Sequence, residues 1–330
     1  MRKDHLAMTL GEDYQQPVPG RMYTIIPETP EHVERIRPFI DTHVHLMETA
    51  LYSWFNDSKA PTFEGPWDPL FKAGDYLASD LLDETKGSNI DLVGAVHVQA
   101  NADDPVAEIA SVERQSRETG LPVVTVGGGD LSSPDFAATL ERELDHPSLR
   151  GVRQNLNMHP HPLYHYVSRS YMDEPSWLDG LALLEQHGLS FDMQLYPTQF
   201  ARAAEVIDAH PNTLFIINHA GMWADRDLAG FQLWKNGLAE LGKRDNAVIK
   251  ISGQPSMDHY WTIESIKPGI YTVLDAFGID KTMLASNFPV DKLHCSYVDL
   301  VHAYARCVET LSEDEQDALF VGNAHKYYRF

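Results

Sequence analysis

Two histidines one residue apart, His43 and His45, end the apolar run Phe39-Ile40-Asp41-Thr42-His43-Val44-His45. In a β-strand, residues i and i+2 face the same side. Both imidazoles would then aim at one point beyond the strand, which is half of a metal site. The spacing is not decisive. Sixteen histidines in 330 residues give about one His-x-His by chance. A second pair, His159-Pro160-His161, lies in a proline-rich stretch. The pattern alone leaves two readings open, a ligand pair and an ordinary polar strand end.

The elements that must position these residues alternate along the chain. Apolar runs suited to strands fall at about 39–45, 91–99, 121–128, 150–156, 189–195, 213–219, 247–252 and 281–287. Helical spacing fills 77–86, 105–120, 133–146, 175–188, 199–210, 231–242, a helix within 263–277 starting after Pro268, 297–311 and 313–320. Eight strands alternating with helices predict a (β/α)8 TIM barrel over 39–330. A doubly wound open sheet would want a glycine-rich turn after its first strand, where this chain has His-Val-His-Leu. Prolines 17, 19, 27, 30 and 38 mark residues 1–38 as an irregular arm packed on the barrel. Long loops follow strands 1 and 4. The first carries Tyr52, Trp54 and Phe55, and the second runs from Asn157 to Tyr166. Loops of this length often line binding sites, and a surface loop packed by its own aromatics is the alternative.

Composition narrows the partners. The net charge is −22, with 43% hydrophobic and 22% charged residues. That charge argues against nucleic acid or an anionic membrane and for a small-molecule substrate. The two cysteines form no CxxC pattern, and Met1–Gly20 has no apolar signal core. A reduced cytoplasmic setting follows as the expectation.

In a barrel, chemistry sits where strands feed into helices. The residues at those ends are His43, His45, Gln99, Asp130, Arg153, Gln194, His219, Ser252 and Asn287. Arg153 suits a bidentate clamp on a carboxylate, or else a structural ion pair. Tyr52, Trp54, Tyr164, Tyr196 and Trp223 are candidate pocket walls or packing residues, and His159 and His161 are rim or solvent-exposed residues.

Several of these motifs together resemble the amidohydrolase superfamily, and more narrowly its amidohydrolase-2 group with a lactonase-like branch. They are Asp41-Thr42-His43-Val44-His45, Gly151-Val152-Arg153-Gln154-Asn155-Leu156, Phe191-Asp192-Met193-Gln194-Leu195-Tyr196-Pro197, Asn218-His219-Ala220-Gly221, Lys250-Ile251-Ser252-Gly253 and Ser286-Asn287-Phe288-Pro289-Val290-Asp291. The resemblance implies a mouth site and water-driven opening of a carboxylated or sugar-derived lactone. The alternatives it leaves are a metal-dependent decarboxylase of an aromatic acid and a non-catalytic barrel. It also implies a homodimer by analogy.

One departure bears on mechanism. The superfamily's eighth strand supplies an aspartate that binds metal and takes the proton of water. Here that position is Asn287, which is a poor ligand and no base. A fifth-strand histidine is likewise replaced by Gln194. His43, His45 and His219 remain as the metal set for a divalent zinc or manganese ion. In a metal-free version, the histidines and an arginine polarise the carbonyl, and a histidine or Asp291 activates water. The catalytic candidates are thus His43, His45, His219, Asn287 and Asp291. Arg153, Gln194, Tyr196, Trp54, Tyr52, His159 and His161 are the candidates for substrate contact. Asp291 can instead cap the helix that follows or pair with a cation.

Overall fold

Strand alternation sets the architecture. In β5 (Ser190–Gln194), Phe191 and Met193 join the large apolar layer beneath the helices. Asp192, between them, points the other way. The structure is a computed structural model and describes residues 38–56, 63–65 and 73–330. Apart from Pro38, the expected N-terminal arm lies outside these residues, as does much of the loop after the first strand.

The remaining strands are β1 (Phe39–Val44), β2 (Leu92–Val98), β3 (Val123–Gly128), β4 (Leu149–Asn155), β6 (Phe215–Ile217), β7 (Ala247–Ile251) and β8 (Thr282–Leu284). They are parallel and neighbour one another in chain order from β1 to β8. The seam is closed by backbone bonds. Asn287 N–H donates to His43 O at 2.8 Å, and His45 N–H donates to Phe288 O at 2.8 Å. This is the expected (β/α)8 barrel, a single domain with helices between the strands.

Its interior is a packed core. Val96, Val98, Val124, Val126, Ile216, Val248 and Met283 form one cluster with Tyr328. Strands 2 and 3 are not neighbours of strands 6 to 8, so these side chains meet only across the barrel. Above them lies a fully buried ion pair, with Lys250 Nζ 2.6 Å from Asp192 Oδ2. Asn218 Nδ2 donates to Asp192 at 3.0 Å and the Tyr328 hydroxyl at 2.9 Å.

The helices in chain order are α1 (Ala78–Glu84), α2 (Pro105–Thr119), α3 (Phe136–Glu143), α4 (Pro175–Gln186), α5 (Phe200–Ala209), α6 (Leu228–Leu241), α7 (Gln254–Met257), α8 (Ile263–Phe277), α9 (Tyr297–Val308), α10 (Glu313–Asp317) and α11 (Asn323–Tyr328). Two boundaries correct the sequence reading. Helix α8 starts at Ile263 and carries Pro268 inside it. The Thr262 hydroxyl accepts from Ser265 N–H and fixes the start, so capping outweighs the single backbone bond that the proline removes. Helix α6 starts at Leu228 because the Asp227 carboxylate accepts from Gly230 N–H at 2.7 Å. The C-terminal α11, which brings Tyr328 under the barrel, has no counterpart in the sequence reading. Both cysteines are free thiols. Among the described residues no helix is long and apolar enough to cross a membrane.

Candidate active site at the barrel mouth

Each expected mouth residue follows from a strand end. His43 and His45 close β1, Arg153 sits on β4, Gln194 ends β5, and His219 and Asn287 follow β6 and β8. At the last two the backbone turns sharply. His219, Ala220, Met222 and Asn287 have φ of 53°, 52°, 47° and 60°. Left-handed conformations at residues other than glycine cost about 1–3 kcal/mol each and cluster at functional sites.

The structure brings His45, Arg153, Gln194, His219, Asn287 and Trp54 to one cavity of about 390 Å³. Its remaining wall is largely apolar and includes Met47, Phe63, Met222, Met257 and Val290. A second, more polar cavity of about 350 Å³ adjoins it, and Asn101, Arg153, Asn155 and Tyr166 line both.

The histidines are held in distinct ways. His45 Nδ1 lies 2.7 Å from Val98 O. A carbonyl only accepts, so Nδ1 carries the proton and Nε2 keeps the lone pair. His219 Nδ1 lies 2.9 Å from Ser252 Oγ. His43 is fully buried between them, its ring centroid 5.0 Å from that of His45 and 4.5 Å from that of His219. Among the described residues neither of its ring nitrogens has a hydrogen-bond partner. Burial pushes all three imidazoles well below their ordinary range, and the positive charge of Arg153 adds to this. All three are therefore neutral at pH 7.

Arg153 is 5% exposed. It donates to Gln99 O at 2.9 Å and to Gln194 Oε1. Burial lowers its guanidinium to about 10, still cationic at neutral pH. The glutamine that replaces the fifth-strand histidine thus anchors the arginine.

Three neutral imidazoles are the right chemical type for zinc or manganese, but their disposition is not right. Among the described residues no three His, Cys, Asp or Glu side chains converge to hold a metal ion. The carboxylate of strand 8 is an amide here, and two cations, Arg153 and Lys250, bear on His43 and His219. The donor set therefore does not fit a resident metal. Purified protein is expected to carry no stoichiometric zinc or manganese by elemental analysis. Chelation with EDTA should leave its activity within about twofold.

Among the described residues Asp291 neither caps a helix nor pairs with a cation. It is fully buried behind the cavity, where Oδ1 accepts from Ser256 Oγ and from Asn287 Nδ2, the latter at 3.4 Å. Burial pushes its carboxyl up to about 7. A raised carboxyl means that the folded state binds more protons than the unfolded chain between pH 3.8 and about 7. This group's contribution to stability is complete at low pH and is lost as pH rises through that window. Asp291→Asn should therefore gain on wild type by about 2–4 kcal/mol from pH 4 to pH 8. Urea unfolding at the two pH values checks this.

Other candidates stand away from the cavity. The Tyr52 hydroxyl donates to Glu108 at 2.7 Å behind the strands. Tyr196 packs with Phe63, Tyr164 and Met222 under the cavity wall. His159 faces Asp225 at 3.2 Å, and His161 is exposed and lies against Tyr164. Trp223 stacks on Trp234 in the helical layer. Sequence reasoning missed Glu64, Asn155, Tyr166 and Met222. All four line the cavity, and three come from loops with no chemical motif.

Comparison with known proteins agrees with the barrel fold. The amidohydrolase family profile matches residues 40–330. An uncharacterised protein, y4mH, of Sinorhizobium fredii is 35% identical over 88% of this chain and 98% of its own. An L-fucono-1,5-lactonase of Burkholderia multivorans is 26% identical over 88% of this chain and 95% of its own. An amidohydrolase of Burkholderia multivorans solved with bound zinc superposes with a TM-score of 0.73 at 24% identity. That match covers 89% of this chain and 100% of the other. With the profile spanning the whole barrel, the chain belongs to the amidohydrolase family.

Proposed function

We propose that this chain is a lactonase that opens the ring of a small carboxylated or sugar-derived cyclic ester at the barrel mouth. The observation that carries the reading is one cavity in which Arg153 shares the wall with two neutral imidazoles, His45 and His219. The similarity to an L-fucono-1,5-lactonase supports the reaction class.

The chemistry follows from what each group can do. Lactone hydrolysis builds negative charge on the carbonyl oxygen as water adds. Arg153 supplies a fixed positive charge in a largely dry pocket, where such stabilisation is strongest. His45 presents Nε2 as a lone pair, and His219 is oriented by Ser252; either can hydrogen-bond the substrate's hydroxyls or the incoming water. The Asn287 amide, tied to Asp291, positions without taking a proton. His43 lies beneath the cavity and supports the other two rings.

The aromatic-acid decarboxylase reading would also use Arg153 as a carboxylate clamp. Asn287 in place of the metal-binding aspartate counts against it.

The test is acid release from a panel of lactones that includes L-fucono-1,5-lactone, followed with a pH indicator in weak buffer. Opening at kcat/KM of roughly 10⁴ M⁻¹s⁻¹ or more on at least one lactone is the expected result. Rates equal to spontaneous opening across the panel would remove the lactonase reading.

A further inference from the structure

We propose that Glu64, on the loop after β1, is the general base and acid of this site, doing the work that the missing strand-8 aspartate would do. The proposal rests on the lactone-opening reading above.

Hydrolysis needs a group that takes a proton from water and returns it to the leaving oxygen. Asn287 cannot do this. Asp291 is screened from the cavity by Ser256 and Asn287. The imidazoles are weak bases, since burial holds them low. Among the described residues, Glu64 is the one carboxylate that lines the cavity. It stands there with Arg153, whose charge it feels.

The segment that carries Glu64 is anchored at Phe63 and at Glu64 itself. Phe63 is buried and stacks on Tyr164 at 5.4 Å between ring centroids. The Glu64 carbonyl accepts from His294 Nε2–H at 2.6 Å, and the His294 ring stacks on His259 at 4.1 Å. Gly65 has φ of +113°, a conformation that side-chain-bearing residues rarely adopt. The Glu64 carboxylate, 7% exposed as a residue, accepts from the Tyr166 hydroxyl at Oε1. Residues 63–65, held by these contacts, give Glu64 the positioning that proton transfer requires.

The step balances as follows. The Glu64 carboxylate takes a proton from water as the water oxygen bonds to the lactone carbonyl carbon. The tetrahedral intermediate then breaks its ring C–O bond. The departing ring oxygen takes the proton back from Glu64 and becomes the hydroxyl of the product acid.

Wild type, Glu64→Gln, Glu64→Ala and Tyr166→Phe are compared on L-fucono-1,5-lactone. Glutamine keeps the volume and an oxygen for Tyr166, so it removes the base and little else. Its kcat should fall about 10²–10³-fold with KM nearly unchanged. Added formate should restore part of the Glu64→Ala rate, and Tyr166→Phe should lose less than about tenfold. A Glu64→Gln enzyme within about threefold of wild type overturns the proposal.

If wild type opens no lactone, the lactonase reading fails. Glu64 is then decided by the infrared carboxyl bands of wild type minus Glu64→Gln at neutral pH. An ionised carboxylate supports Glu64 as the cavity's base toward another substrate; a protonated carboxyl overturns it.

Discussion

Arg153→Met should lower kcat/KM for lactone opening by about 10³–10⁴-fold, with Arg153→Lys losing about 10²-fold. Three features set the size of the effect. Arg153 is the one cationic side chain among the described residues of the cavity wall, so no other described residue of that wall supplies its charge. It is almost wholly buried, and its attraction to a developing oxyanion is little screened. Its planar fork already serves Gln99 O and Gln194 Oε1, which fixes its direction before substrate arrives. Losing one partner of a buried charge interaction costs about 2–5 kcal/mol, and the lost stabilisation of the transition state adds to that. Lysine keeps the charge but cannot hold both anchors and still reach the substrate. Steady-state kinetics of the two variants check this. A methionine variant within tenfold of wild type would show that Arg153 only props up the wall.

The largest stability effect is expected below the site. Among the described residues, Lys250→Met leaves the Asp192 carboxylate in the barrel interior with only Asn218 and Tyr328 to answer it. Removing one member of a buried ion pair costs about 3–5 kcal/mol, because the survivor cannot recover its hydration. For a chain of this size that amounts to an apparent Tm lower by roughly 6–15 °C. The double variant Lys250→Met with Asp192→Leu should recover most of the loss, since a well-packed apolar pair needs no charge balance. Differential scanning calorimetry of the three proteins separates the outcomes. A double variant no better than Lys250→Met would mean that the pair specifies the packing around it as well as balancing charge.

Fold and site were legible to different depths, for physical reasons. Strands declare themselves by local composition. Runs such as Leu-Val-Gly-Ala-Val-His-Val need no distant partner to be read, and eight of them imply closure. Residues at strand ends inherit that certainty, so His45, Arg153, His219, Gln194 and Asn287 could be placed at one mouth in advance. Glu64 and Tyr166 could not. Glu64 is held through its carbonyl by His294, which stacks on His259, and Tyr166 by a backbone bond to Asn157 O, contacts that no local pattern announces. Tyr52 shows the converse error: an aromatic in the right loop turned inward to Glu108 because its hydroxyl needed a buried acceptor. Asp291 was seen as an acid near strand 8, but its isolation behind Asn287 depends on Ser256, supplied by α7. Lys250 read as one polar residue in an apolar strand. Its partner Asp192 becomes visible only once β5 and β7 are known to face the same interior.

The position of Tyr328 bears on how the molecule is made. Its helix follows all eight strands in the chain, yet its ring joins the interior cluster and its hydroxyl completes the shell around Asp192. On a translating ribosome, a nascent chain with every strand already outside the exit tunnel would still lack its floor. Lys250 and Asp192 would stay open to water from below until residues 323–328 emerged, because Lys250 Nζ sits over that same ring, 4.9 Å from its centroid. Native closure is therefore a late event in synthesis, and an arrested chain ending before α11 should be held as a loose, protease-sensitive barrel even though all of its mouth residues are present.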